Sequence, residues 1–206
     1  MQKGIPLLTS QEISHAKEYV EKLRLSVHEI SLPSNPKTGA AGACLAIAQE
    51  HHHAIVRLID DHRYASVASL VRVEFEAYVR GMWLYLCASD EIASSFIEGK
   101  EPPKLGDLLV ELEKIESFNE GVLSKVKRES WPALCAYTHT GGLHVQRWIT
   151  GNGIEPNYSR DEIIEALQFA EVIASFSVMG VAQMANDDDL AVKIFDIFDR
   201  RMEEWG

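Results

Sequence analysis

The chain has 206 residues, of which 46% are hydrophobic and 25% charged. That is the composition of an ordinary globular protein and excludes disordered, collagen-like and disulfide-scaffold classes. A chain of this length can fold without a metal or disulfide staple, and one domain over residues 1–206 is expected. Lys and Arg number 20 against 31 Asp and Glu, a formal charge of -11. Such a chain repels phosphate backbones at long range, so nucleic acid is disfavoured as a partner, although a local basic cleft would escape this argument.

The first element is marked by Thr9 and Glu12, a capping-box pair, followed by Ile13, Ala16, Val20, Leu23 and Val27 at three- and four-residue steps. This spacing predicts an amphipathic helix to about residue 30. Pro33, Asn35, Pro36 and Gly39 predict a loop over 32–39, and a second helix is expected over 40–61, opening on small residues that would let another helix approach closely. The third helix, 64–88, is apolar around most of its circumference and is expected to be surrounded by others. Short peripheral helices are expected over 89–98, 105–115 and 119–127, with a break at 99–103. Ser130 and Pro132 predict a further helix start, and Gly141 and Gly142 interrupt or bend that helix. Residues 151–158 read as a loop. Ser159 and Glu162 form a second capping box before a long core helix to about residue 185, and Asp187, Asp188 and Asp189 read as the cap of a terminal helix. No strand-like alternation is evident. The expected class is therefore all-α: four to five long helices around the central 64–88 helix, with short helices at the periphery.

Cys44, Cys87 and Cys135 are widely spaced in apolar contexts and read as buried thiols. With no secretory leader pattern in residues 1–10, this points to the cytoplasm. No membrane association is expected, because the apolar stretch 169–185 is interrupted by Glu171 and Gln183. The terminal helix carries Phe195, Phe198 and Trp205 beyond its core-facing positions, which points to a homo-oligomer.

Arg72, Glu76 and Arg80 succeed one another at four-residue steps and line up along one stripe of the third helix. Charges there must be paired, and one carboxylate between two guanidiniums leaves a cation seeking another anion, from the protein or from a ligand. An ion ladder without function would carry the same residues. His139, His144 and Arg147 surround the Gly141-Gly142 break, where imidazoles could exchange protons, the arginine could hold an oxyanion, and the glycines could admit a ligand close to the backbone. Histidines capping the end of a helix are the plainer alternative. Glu50 with His53, and Glu12 with His15, make two E-x-x-H steps, a weak match to a di-iron bundle, and neither a metal nor a cofactor is expected. Arg57 and His62 fit the Arg-x(4 to 6)-His spacing of HEPN ribonucleases, a match that ten arginines and eight histidines produce about once by chance. His53 and Arg57 are secondary candidates for a site.

The segment 65–84, with Leu70, Arg72, Glu76, Arg80 and Trp83, succeeded downstream by residues 137–144 with His139, Gly141, Gly142 and His144, resembles uncharacterised bacterial helical families. These carry a similar leucine, arginine, glutamate and aromatic pattern on a central helix and a histidine-glycine turn downstream. The resemblance covers residues 45–185 and implies an all-helical fold distantly allied to HEPN-like bundles of defence and toxin systems; it implies no established activity. The favoured reading is a binding or interaction module in which Arg72, Glu76, Arg80, His139, His144 and Arg147 recognise a small anion or a protein partner. An RNA-cleaving enzyme and a purely structural subunit are the alternatives.

Overall fold

A computed structural model describes residues 5–101 and 103–205. Residues 1–4 and Pro102, on which the leader reading and the break after residue 98 partly rest, lie outside the described residues, as does Gly206. Among the described residues the chain forms nine α-helices: α1 (Ser10–Ser26), α2 (Pro36–Asp60), α3 (Tyr64–Leu86), α4 (Asp90–Ile97), α5 (Leu105–Leu112), α6 (Val122–Thr138), α7 (Gly142–Gln146), α8 (Arg160–Met184) and α9 (Asp188–Glu203). The class is all-α. One minimal hairpin interrupts the expected loop before α8, with Ile149 opposite Ile154.

Both capping boxes form. The Thr9 side chain accepts from the Glu12 N–H while Glu12 accepts from the Thr9 N–H, and Ser159 and Glu162 repeat the exchange at α8. Asp187 caps α9 by accepting from the Leu190 N–H. Several boundaries differ from expectation: α1 stops at Ser26 and not near residue 30, α5 stops at Leu112 and not at 115, and the starts of α2 and α6 move. α2 begins at Pro36, because Asn35 accepts from the Thr38 N–H and a proline in the first turn has no N–H to leave unpaired. α6 runs unbroken from Val122 to Thr138 with Pro132 inside it. The expected start at Ser130 is thus a mid-helix proline, which deprives the Arg128 carbonyl of its intrahelical donor.

α3 packs most extensively on α2 and also meets α8, α6 and α5. Leu45 of α2 fills the meeting point of three helices: a Cβ on Gly81 of α3 would lie 2.7 Å from it, and one on Gly180 of α8 would lie 3.0 Å away. Those glycines are therefore required by close approach. A second apolar cluster joins Ile13, Ala16 and Val20 of α1 to Ile55, Val67, Val71, Ile163 and Leu167. By length and composition α8 could cross a membrane, but 56% of its apolar window is buried inside the fold.

Two surface expectations are corrected. Trp205 does not add to an outward apolar face: its indole N–H turns inward and donates to Glu171 at 2.8 Å, while Phe195 remains exposed. Of the cysteines, only Cys44 is fully buried; Cys87 and Cys135 are half-buried, and all three thiols are free. Cys135 is open because α6 packs on one side only, with Leu123 its one fully buried residue.

Candidate functional site

The helical repeat of α3 sets Arg72, Glu76 and Arg80 on one stripe, and the ladder forms. Arg72 Nε donates to Glu76 Oε1 at 2.8 Å and Arg80 Nη2 donates to Glu76 Oε2 at 3.2 Å. The Arg72 guanidinium lies over the Trp131 ring of α6, 4.6 Å from its centroid, a cation–π contact. Its Nη1 reaches His139 Nε2 at 2.6 Å. Arg80 is less engaged. Its side chain is 36% exposed, and among the described residues Glu76 is its one hydrogen-bond acceptor and its buried Nε has none.

His139 is placed by the end of α6. Ser69 of α3 donates to the Tyr137 carbonyl at 3.1 Å and Thr138 donates to the Ser69 carbonyl at 3.3 Å, which pins the last turn of α6 to α3. Thr140 adopts φ of 54°, and the Gly141 N–H donates back to the Ala136 carbonyl at 2.7 Å. This is a Schellman closure with threonine where glycine is usual. A Cβ on Gly141 would lie 3.0 Å from Ala136 Cα. The close approach that Gly141 permits is therefore to its own helix end, and not to a ligand.

The remaining predicted residues separate from the ladder. His144 is buried, with its ring 5.5 Å from Tyr137 and nearly perpendicular to it, and neither ring nitrogen is hydrogen-bonded. Arg147 already has its anion: Nε donates to Glu162 Oε1 at 2.6 Å, and Nη2 meets the same oxygen. Glu162 raises the Arg147 guanidinium above its ordinary value, while the helix cap and Arg147 hold the Glu162 carboxyl below its own against the opposing effect of burial. The structure thus groups Arg72, Glu76, Arg80 and His139 and sets His144 and Arg147 against Tyr137 and α8.

His53 and Arg57 are exposed one turn apart on α2, away from the ladder. His53 borders a groove of about 430 Å³ together with Arg24 and Glu50. Arg57 belongs to the last turn of α2 while His62 lies in the turn beyond it with φ of 57°, so the pair does not share a helix. Glu12 is committed to its cap and to Arg160, whose Nη2 lies 2.5 Å from Oε1. Among the described residues no group of three metal-ligating side chains converges.

Three buried charged or titratable features are not evident from the sequence patterns above. Glu74 of α3 is fully buried and neither carboxyl oxygen is hydrogen-bonded, and burial pushes its carboxyl well above the usual range. His52 of α2 is fully buried edge-on to Tyr19, also without a hydrogen bond, and burial depresses it to about 3. Glu171 of α8 accepts from Arg201 Nε at 2.9 Å and Nη2 at 2.8 Å, and from the Trp205 indole. Burial pushes the Glu171 carboxyl up and these donors oppose it. Each position is marked by its stripe: Val67, Val71, Tyr78 and Met82 flank Glu74 at helical steps, Leu45, Ala48, Ile55 and Ile59 flank His52, and Leu167, Ala174 and Val178 flank Glu171.

The pattern that defines a family of unknown function, DUF6988, matches residues 45–200. The chain belongs to that family. Comparison with characterised proteins and with solved structures gives no match. Membership of DUF6988 agrees with the expected uncharacterised helical family; it does not show the HEPN resemblance. The DUF6988 segment contains the whole α3 ladder and His139.

Proposed function

We propose that this member of DUF6988 is a binding module in which the Arg72–Glu76–Arg80 ladder and His139 recognise an anionic group, such as a phosphate or carboxylate, on a small molecule or a protein partner. The observation that carries the reading is Arg80: a partly exposed guanidinium with one hydrogen bond to protein and a buried Nε without any. A guanidinium offers five N–H donors, and with one hydrogen bond to protein this one keeps donors for an arriving oxyanion. The ladder itself holds two guanidiniums against one carboxylate. Binding is favoured over RNA cleavage because the lone pair of His139 Nε2 is already directed at Arg72, which leaves no free base beside the ladder. The three free thiols support a reducing, cytoplasmic setting.

The test is a titration with inorganic phosphate and with citrate at constant ionic strength, read by thermal melting and by tryptophan emission, since Trp131 lies beneath Arg72. A saturable shift is expected in the wild type and is expected to be lost in an Arg80→Met variant of native helical content. The same shift in that variant, or none in the wild type, removes the reading. A variant that unfolds on its own assigns the ladder to structure instead.

A further inference from the structure

A separate cavity of about 320 Å³ lies where α3, α6 and α8 meet, at the lower end of the ~300–1,000 Å³ range of small-molecule sites. We propose that this cavity binds a small organic ammonium compound, an apolar body carrying one protonated amine. Val71, Tyr137, Tyr158 and Phe169 wall it, and its charged lining residues are Glu162 and Glu165, with no cationic side chain among them. Neither arginine of the ladder lines this cavity, so the inference does not depend on the anion site.

The two glutamates stand three residues apart on α8, on the face that also carries Phe169. Glu162 is ionised and fixed by Ser159 and Arg147. Glu165 is exposed and makes no ion pair among the described residues, which makes it the uncommitted negative charge at this cavity. The Tyr158 hydroxyl is buried beside the Trp148 indole, and its oxygen has a lone pair left to accept from an ammonium N–H. Faces of Tyr and Phe attract cations electrostatically. Because Arg147 already neutralises Glu162, Glu165 is the carboxylate that would repel an anionic ligand, and a neutral one would gain nothing from it. The formal charge of -11 further favours the approach of a cation.

Phenethylamine serves as the probe, with phenethyl alcohol and phenylacetate as the neutral and anionic comparisons of similar shape, all measured by calorimetric titration on the full chain. The amine is expected to bind about tenfold or more tightly than the alcohol, as charge-assisted contacts predict, and phenylacetate is expected not to bind. Glu165→Gln, at an exposed position, is expected to reduce that preference severalfold with no change in helical content. Ala133→Phe, which fills the cavity, is expected to abolish binding. The proposal is overturned by equal affinity for amine and alcohol, by an amine preference that persists in Glu165→Gln, or by no binding of phenethylamine at millimolar concentration.

Discussion

Arg72 donates to His139 Nε2 across 2.6 Å, and a guanidinium has no acceptor to offer in return. The imidazole must therefore present a lone pair at Nε2 and carry its proton on Nδ1. In long-range proton–nitrogen spectra, Nε2 of His139 is expected to appear as the unprotonated nitrogen, and Arg72→Met is expected to release the ring to a mixture of tautomers. Protonated Nε2 in the wild type would disprove the arrangement. The same substitution also removes the cation over Trp131 and is expected to alter its emission.

His52 makes acid destabilising. Its folded value of about 3 lies below the ordinary 6.5. The unfolded chain therefore takes up a proton as pH falls below 6.5 while the folded chain does not, so stability declines from there toward pH 3 at about 1.4 kcal/mol per pH unit. Between pH 7 and pH 5 the wild type is expected to lose about 2 kcal/mol more than His52→Leu, as measured by urea denaturation. Parallel losses would mean that this ring is not the titrating group.

Glu74 acts in the opposite sense. Its folded value lies well above 4.5, so above pH 4.5 the unfolded chain sheds a proton that the folded chain keeps, and stability falls as pH rises. Glu74→Gln is expected to be close to neutral at pH 4 and increasingly stabilising toward pH 8. Thermal melts across that range decide the matter, and a pH-independent difference would refute it.

Breaking the buried pair is expected to be costly. Glu171 is fully buried and the Arg201 side chain is only 5% exposed, so Arg201→Met strands the Glu171 carboxylate and should cost about 3–5 kcal/mol, whereas Glu171→Leu leaves Arg201 its second partner, Glu204, and should cost less. The double variant should recover most of the loss, because an apolar pair of similar volume fills such sites about as well. Additive losses in urea denaturation would contradict this.

Gly81→Ala tests the helix contact. Alanine gains up to about 1 kcal/mol of helix propensity, but its Cβ would lie 2.7 and 2.9 Å from Leu45 side-chain atoms, an overpacking expected to cost about 1–3 kcal/mol. Net destabilisation is expected at Gly81. Gly142→Ala, with nothing within 4 Å of the new carbon, should not lower the melting temperature.

Helix identity is legible in the sequence because local signals and tertiary demand agree at both capping boxes and along the stripes of α1, α3 and α8. The disagreements occur where one residue has two uses. Pro36 and Pro132 are both helix breakers by composition, yet one occupies a first turn and the other is carried within α6. The Arg72–Glu76–Arg80 stripe comes from spacing alone. That His139 joins it, while His144 and Arg147 do not, depends on the turn after α6, which side-chain spacing does not encode. Glu74 and His52 are harder to read, because a polar residue within an apolar stripe is buried or exposed according to how closely the neighbouring helix packs there.

Arg201 stands one position beyond the segment that defines the family, and α1, whose Tyr19 hydroxyl bonds Ser175 at 2.5 Å, precedes it. A fragment trimmed to residues 45–200 would keep Glu171 but lose both the guanidinium that neutralises it and the helix that covers it. The recurring pattern is thus narrower than the set of contacts around Glu171: expression boundaries drawn from family similarity would cut through this buried ion pair and are expected to give a less stable chain.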